Sequence, residues 1–450
     1  MPNQVLYDET HRPQFHFTAQ KNWINDPNGL VYYQGEYHLF FQHNPTSVLW
    51  GNMTWGHAIS TDLVHWTQLE HALYPDDLGT IFSGSAVVDW HNTSGLQEGD
   101  EPPLIILYTS AGAHVPEPVP FTQSLAYSND RGRTWEKYEG NPVLGHIKGS
   151  NRDPKIVWHK ETNQWLMALY LEGAEYVLYG SVNLREWQHL CDLELPGVSE
   201  CPDLFELPID GDMQNTRWVY WGANGGYLLG HFDGAVYVPE TEVFCAEHGP
   251  NGYAAQTWSD VAAADGRRIQ IAWMRGGKYP AMPFNQQMSF PVELTLRTTP
   301  AGVRLCREPV REVEVLQKKV HYGESAELSP GKPLRPDVEG DLFDIRLQLE
   351  PGEVHVVGVQ IRGNDLRYDA VAQRLSFLGK EVELEVRDGS ISLHLLVDRT
   401  SLEVFAHDGE VSMSFCFLPE AADVPLVFYA EGGVAQLRAL ELHELRSAWV

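Results

Sequence analysis

Basic residues are scarce in this chain. Its 450 residues carry 32 Lys and Arg against 61 Asp and Glu, a formal net charge of −29. Such a surface repels phosphate backbones, which excludes nucleic acid as a partner. An anionic membrane surface is excluded on the same ground. No apolar run approaches the roughly 18 residues needed to span a bilayer. The opening Met1-Pro2-Asn3-Gln4 has neither the basic segment nor the apolar stretch of a secretion signal. The chain as it stands therefore reads as cytoplasmic, or as secreted if a signal has been removed from it. Cysteine is sparse as well: five residues, an odd number, with no C-x-x-C. That argues against a disulfide framework and fits a reducing compartment. The sequons at Asn52 and Asn92 read as chance. G-x-S-x-G and H-E-x-x-H motifs are missing, and Gly222-Ala223-Asn224-Gly225-Gly226 lacks the helix that a phosphate loop requires. The 19 His are scattered without metal-ligand spacing. No metal and no cofactor are expected.

Long helical periodicity is also scarce. What is present is a succession of short strand-like runs separated by turn residues, which argues for an all-β chain. Leu30 to Tyr33 and Tyr37 to Phe41 flank the turn Gln34-Gly35-Glu36, and Leu104 to Tyr108 and Trp165 to Tyr170 are further runs. At 43% apolar residues the chain has enough material for a core without staples. A degenerate repeat runs through the first half: Ser60-Thr61-Asp62-Leu63-Val64-His65-Trp66, Ser128-Asn129-Asp130-Arg131-Gly132-Arg133-Thr134-Trp135 and Ser181-Val182-Asn183-Leu184-Arg185-Glu186-Trp187. The tryptophans are 69 and 52 residues apart. A unit of that size suits a four-stranded propeller blade, and about five would fill residues 10 to 300. Taken singly, each copy is only a turn followed by a buried Trp.

Near residue 300 the texture changes. Thr299-Pro300-Ala301-Gly302 reads as a turn and Arg304 to Lys319 is dense in mixed charge. The expected organisation is a propeller over 1–300, a linker over 301–319 and a second unit over 320–450. In that unit Phe343, Ile345, Leu347 and Leu349 alternate with polar residues. Val382, Leu384 and Val386 are expected to pair across Asp388-Gly389 with Ile391, Leu393 and Leu395, and Asp408-Gly409 is a second such turn. Alternation with one polar face predicts a β-sandwich, expected to be structural, with a glycan-binding module as the alternative.

Three carboxylates stand out by context. Asp26 lies in Asn25-Asp26-Pro27-Asn28-Gly29, Asp153 in Arg152-Asp153-Pro154-Lys155, and Glu200 in Glu200-Cys201-Pro202-Asp203. Each motif alone could be a turn, a local ion pair or a loop. Their shared placement ahead of strand-like runs puts them at comparable positions in different blades, where innermost strands line a central channel. Facing carboxylates in an aromatic-rich cleft perform glycoside hydrolysis: one is ionised and the other carries a proton for the leaving oxygen. Like charges at close range push their proton affinities apart.

These motifs, with Trp23-Ile24-Asn25-Asp26-Pro27-Asn28-Gly29, Trp55-Gly56-His57-Ala58, Phe82-Ser83-Gly84-Ser85-Ala86, Glu200-Cys201-Pro202-Asp203-Leu204-Phe205 and Asp398-Arg399-Thr400-Ser401-Leu402-Glu403-Val404-Phe405, carry a resemblance. From His16 through the C-terminal unit the chain resembles the β-fructosidases of glycoside hydrolase family 32, which includes invertases, inulinases and levanases. The resemblance implies a five-bladed β-propeller followed by a β-sandwich. It implies Asp26 as nucleophile, Glu200 as acid/base, and Asp153 as transition-state stabiliser beside Arg152, which would keep Asp153 ionised while Glu200 stays protonated. It implies a fructose pocket lined by Trp23, Asn25, Gln42, Trp50, Phe82 and Ser83, with Tyr253 tuning Glu200 and Trp273 forming a wall. The implied partner is a fructan or sucrose. There is a departure: Arg275-Gly276-Gly277-Lys278-Tyr279 stands where the family usually carries aromatic residues, and Gln286-Gln287 stands in a segment that often carries Arg. Both bear on the leaving-group side. The stretch Tyr74 to Asp89, with Asn92-Thr93-Ser94-Gly95, looks closest to exo-acting levanases and inulinases, which favours release of terminal fructose from fructans with sucrose also accepted. The competing readings are a sucrose-dedicated invertase, a fructosyltransferase, an arabinan- or xylan-acting propeller enzyme and a non-catalytic sugar-binding protein.

Overall fold

The computed structural model describes residues 6–323, 325–420 and 424–449. The opening residues 1–5, in which no signal was read, lie outside it. The first part of the chain forms five antiparallel blades. Blade one holds Asn22–Tyr33, Glu36–Asn44, Thr54–Ser60 and Thr67–Gln68. Blade two holds Thr80–Val88, Leu104–Ala111, Thr122–Ser128 and Glu136–Lys137. Blade three holds Arg152–His159, Gln164–Glu172, Glu175–Ser181 and Gln188–Glu194. Blade four is Asp203–Ile209, Asp212–Trp221, Gly226–Phe232 and Tyr237–Pro239, and blade five is Gly252–Thr257, Arg268–Met274, Val292–Thr299 and Gly302–Pro309; the pair Ile209–Leu296 joins these two into one sheet. The ring closes where Phe284 and Asn285 pair with Asn22 and Trp23 of blade one.

The repeat has a local cause. Ser60, Ser128 and Ser181 each end the third strand of a blade. Asp62 then accepts the backbone N–H of Val64 and His65, Asp130 those of Arg133 and Thr134, and Asn183 those of Arg185 and Glu186. The indole N–H of Trp66, Trp135 and Trp187 caps each turn on the carbonyl of Leu63, Gly132 and Leu184, all at 3.1 Å. Such a side-chain turn holds its shape without neighbours, which is why it recurs as sequence.

The remaining strands stack as two sheets. One contains Gln317–Gly323, Ala326–Leu328, Phe343–Glu350, Ile391–Asp398, Ser401–Ala406, Val411–Cys416 and Ala435–Leu445. The other contains Val356–Ile361, Asn364–Asp369, Arg374–Phe377, Lys380–Glu383 and Leu426–Glu431. Their facing apolar residues, among them Ile345, Val359, Leu395 and Phe415, are fully buried between them. The molecule is a five-bladed β-propeller followed by a β-sandwich.

Two local expectations are corrected. Gly302–Pro309 pairs with Val292–Thr299 inside blade five, so the connection between the units is the short helical turn Arg311–Leu316 rather than 301–319. Lys380–Glu383 pairs with Arg374–Phe377 and not with Ile391–Asp398; Asp388-Gly389 is the corner where the chain passes from one sheet to the other. Alternation marks which face of a strand is buried, and both sheets bury theirs against one core, so the pattern did not name the partner.

The junction between the units is polar and buried. The His16 ring lies between the carboxylates of Asp398, 2.8 Å away, and Glu403, 2.7 Å away, all three buried. Asp398 also accepts the N–H groups of Gln14 and Phe15, and Glu403 that of Phe290. Arg307 of blade five reaches Glu247 at 2.7 Å and Ser412 of the sandwich at 2.9 Å. Gly409 packs under Arg307 with φ +80°, where a Cβ would stand 2.0 Å from the Arg307 carbonyl oxygen, so the Asp408-Gly409 turn requires glycine.

Candidate active site

Each blade contributes the rim end of its inner strands to one recess. Asn25 and Asp26 come from Asn22–Tyr33, Phe82 and Ser83 from Thr80–Val88, and Arg152 and Asp153 open Arg152–His159. Glu200 and Cys201 precede Asp203–Ile209, and Tyr253 and Trp273 lie on paired strands of blade five. With Gln42, Trp50 and Met53 they line a cavity of about 190 Å³. Trp23, expected in the lining, stands behind it: its indole N–H donates to Asn25 Oδ1 at 2.8 Å and its ring meets Trp273 edge-on. Asp26 lies within its strand rather than ahead of it. The pairing of that strand slips between Ile24 and Pro27 and again between Asn28 and Val31, which bulges the backbone around the carboxylate.

The backbone is strained at the other two. Asp153 has φ +65°, Glu200 +58° and Cys201 +36°. Left-handed conformations at three non-glycine residues in one cavity cost free energy, and such strain concentrates at functional sites. Asp153 is fixed there by its N–H donating to Thr109 Oγ1 at 3.0 Å.

Asp26 Oδ2 accepts the Ser83 hydroxyl at 2.6 Å and Oδ1 accepts the Asn25 amide at 3.2 Å. The Cys201 thiol sits between carboxylates, 3.6 Å from Asp26 Oδ2 and 3.5 Å from Asp153 Oδ2, and the Cys201 N–H donates to Asp153 Oδ2 at 3.1 Å. Arg152 donates to Glu200 Oε1 at 2.5 Å, and its Nε lies 3.7 Å from Asp153 Oδ2. The Tyr253 hydroxyl donates to Glu200 Oε2. Cys201 and Met53 are the lining residues that the sequence reading assigned no role. Cys201 stood beside Glu200 in its motif, whereas Met53 carried no signal.

Burial pushes Asp26 above the usual carboxylate range against its hydrogen bonds from Ser83 and Asn25, and the Glu200 charge adds to the rise. Burial drives Asp153 up to about 7, with Arg152 opposing and Asp26 and Glu200 adding. Burial also works to raise Glu200, but the Tyr253 hydroxyl and Arg152 outweigh it and hold Glu200 below its ordinary value. This reverses the expected distribution. In the free pocket Tyr253 and Arg152 hold Glu200 low, while burial raises both Asp26 and Asp153. At Asp153 burial outweighs Arg152, whose Nε comes only within 3.7 Å, whereas Arg152 makes its short hydrogen bond to Glu200 across the cavity.

Among the described residues no group of three or more His, Cys, Asp or Glu has the geometry to hold a metal ion, and no helix is long and apolar enough to cross a membrane.

Residues 16–309 match the glycosyl hydrolases family 32 N-terminal domain and residues 311–444 the family 32 C-terminal domain. A levanase of Bacillus subtilis is 38% identical over 98% of this chain and 72% of its own length. An extracellular exo-inulinase of Aspergillus ficuum is 31% identical over 98% of this chain and 96% of its own. Among solved structures, the exo-inulinase of Aspergillus awamori superposes with a TM-score of 0.88 at 28% identity, covering 99% of this chain and 100% of that one. A fructofuranosidase of Schwanniomyces occidentalis in complex with fructose gives 0.86 at 28% identity, covering 99% and 100%. A pocket built from five blades, and family matches that together run from His16 to Glu444, place this chain in glycoside hydrolase family 32.

Proposed function

We propose that this enzyme releases terminal fructose from β-fructofuranosides, namely fructans such as levan and inulin and also sucrose, with retention at the anomeric carbon. The observation that carries the reading is the convergence of Asp26, Asp153 and Glu200 from three blades on one cavity of about 190 Å³, a size that suits a single sugar ring. Asp26 attacks the anomeric carbon as the bond to the leaving oxygen breaks, and Glu200 gives that oxygen a proton. A fructosyl ester on Asp26 results. Water then attacks the same carbon, Glu200 takes its proton, and Asp26 leaves as carboxylate. The Ser83 hydroxyl and Asn25 amide hold the Asp26 oxygens in place for attack. Asp153 and Arg152 grip the sugar hydroxyls, and the Asp153 charge favours the cationic transition state.

The proton on Glu200 is supplied by binding. Sugar hydroxyls that engage Arg152 draw it from Glu200, and exclusion of water raises the proton affinity of the carboxylate left behind. The three carboxyls titrate as a coupled set, so a proton held by the raised aspartates in the free pocket becomes available to Glu200. The catalytic unit is the propeller through Pro309. The sandwich is structural, since the cavity lining ends at Trp273 among the described residues. Of the two locations open to the chain, the extracellular exo-inulinases support secretion, which fractionation of the producing cells tests.

Product analysis on sucrose, inulin and levan tests the function. Fructose as the sole early product from both fructans is expected, with glucose beside it from sucrose. Early oligosaccharides from fructan would remove the exo assignment, growth of longer fructosides from sucrose would indicate a transferase, and turnover of sucrose alone a dedicated invertase. The anomer released first, followed by NMR, reports retention or inversion.

A further inference from the structure

The segment Arg275-Gly276-Gly277 and the residue Gln286, the two departures from the family pattern, form one structure. Gln286 Oε1 accepts the Trp273 indole N–H at 3.1 Å and the Gly276 N–H at 3.0 Å, while its Nε2 donates to the Gly277 carbonyl at 3.2 Å. On the other side the Arg275 N–H donates to the Asn251 carbonyl at 2.7 Å, and the Asn251 amide returns a bond to the Arg275 carbonyl at 2.5 Å. Asn251 is itself held by the sandwich, accepting the Cys416 N–H at 2.8 Å. The backbone at Arg275 is thus clamped from three directions while its side chain is exposed.

That side chain is positioned. Its guanidinium carbon lies 3.8 Å from the centroid of the Tyr253 ring, a cation–π contact. The hydroxyl of the same ring donates to Glu200. Arg275 therefore stands one aromatic ring away from the acid/base and beyond the residues that line the cavity. Among the described residues its guanidinium N–H groups have no carboxylate or carbonyl partner. A planar fork of donors with a fixed base and no internal acceptor suits the adjacent hydroxyls of a sugar.

We infer that Arg275 is a specificity-determining residue that donates hydrogen bonds to hydroxyls of the sugar attached to the leaving oxygen, outside the fructose pocket. This rests on the proposed function, because Glu200 as proton donor fixes where the leaving oxygen lies. The group beyond that oxygen must extend out of a cavity sized for one ring, over the rim that carries Arg275. The ligand class is a neutral sugar, the glucosyl unit of sucrose or the next fructosyl unit of a fructan.

The test compares leaving groups. Arg275→Ala and Arg275→Lys are assayed on sucrose, on a β-linked difructose and on fructosyl fluoride, whose leaving group has no hydroxyls. Arg275→Ala is expected to lose about ten- to a hundredfold in kcat/KM on the two disaccharides, the range of a hydrogen bond from a charged donor. Fructosyl fluoride is expected to stay within about twofold. Arg275→Lys, which keeps charge but not the fork, is expected to fall between. An equal loss on all substrates would show that Arg275 acts through Tyr253 and Glu200 instead. A loss confined to the fluoride, or none at all, also overturns the assignment. Failure of the function itself reads differently: the unaltered enzyme would then turn over none of the three substrates.

Discussion

The pocket at the propeller rim encloses about 190 Å³, and the groove between blade five and the outer face of the sandwich about 700 Å³. The larger recess is a sheet face. Tyr322, Arg346, Gln348, His394 and Arg438 come from neighbouring strands of one sheet and stand side by side. Its polar groups already have partners in the same sheet: Arg438 pairs with Glu350, and the His394 ring meets Asp344 at 2.7 Å. The smaller recess gathers side chains from five separate blades, buries Asp153 with Asp26 half-buried beside it, and strains the backbone at Asp153 and Glu200. Reactivity follows from convergence and desolvation, not from volume. A propeller axis supplies both, while a sheet face supplies neighbours without enclosure.

Four experiments sharpen or break that contrast. The largest effect is expected from Asp26→Ala, which deletes the group that forms the covalent intermediate; kcat/KM on every fructoside should fall by about 10⁴-fold or more. Asp153→Ala should also fall steeply, with kcat dropping far more than KM rises.

Glu200→Ala should depend on the leaving group. About 10²–10⁴-fold is expected to be lost on sucrose or fructan and much less on fructosyl fluoride, with azide restoring part of the second step. If Asp153→Ala showed that dependence and Glu200→Ala did not, the two roles would exchange. The pH profile adds a sign. Since the Glu200 charge helps raise Asp26, Glu200→Gln should shift the acid limb of fructosyl fluoride hydrolysis to lower pH.

Third comes the junction. Burial alone would lower His16, but its hydrogen bonds to Asp398 and Glu403 outweigh burial and raise it to about 9. A folded value above the unfolded one of about 6.5 gives stability that is full below about 6.5 and fades as pH rises through about 9. Thermal scans should show Tm declining across that window. His16→Ala leaves two buried carboxylates without a cation and should cost about 3–5 kcal/mol in denaturant unfolding, with the window flattened. The smallest effect is expected in the groove. Tyr322→Ala and Arg346→Ala should leave sucrose and levan turnover within about twofold; a large loss on levan alone would make the groove a second glycan site and end the structural reading of the sandwich.

What could be read from sequence was whatever is decided within a few residues. In the three repeated blade turns the Asp or Asn accepts N–H groups of its own turn and the Trp caps it on a carbonyl three residues back, so Ser60 to Trp66 announces a turn anywhere it occurs. The alternation at Phe343 to Leu349 likewise reports one strand's buried face. The three carboxylate motifs were legible because each is a short unusual run. What escaped depends on groups from elsewhere. Arg152 looked like the partner of Asp153 because they are adjacent, yet its shortest bond crosses to Glu200, 48 residues on. The thiol of Cys201 between two aspartates and the pairing of Lys380–Glu383 are likewise set by neighbours that only the closed ring and stacked sheets bring near.

The bracket around His16 also orders events in time. A ribosome emits this chain from its first residues, yet His16 waits for Asp398 and Glu403, and Trp23 waits for Asn285 to close the ring. Individual blades can settle as they emerge, each around its own turn. The reactive recess cannot assemble in instalments: until the fifth blade has left the ribosome, Glu200 lacks Tyr253 and the ring stands open. A nascent chain arrested at residue 310 would have every pocket side chain but no carboxylate partner for His16. Translation through Asp398 and Glu403 is thus the step that locks the propeller's leading segment to the sandwich.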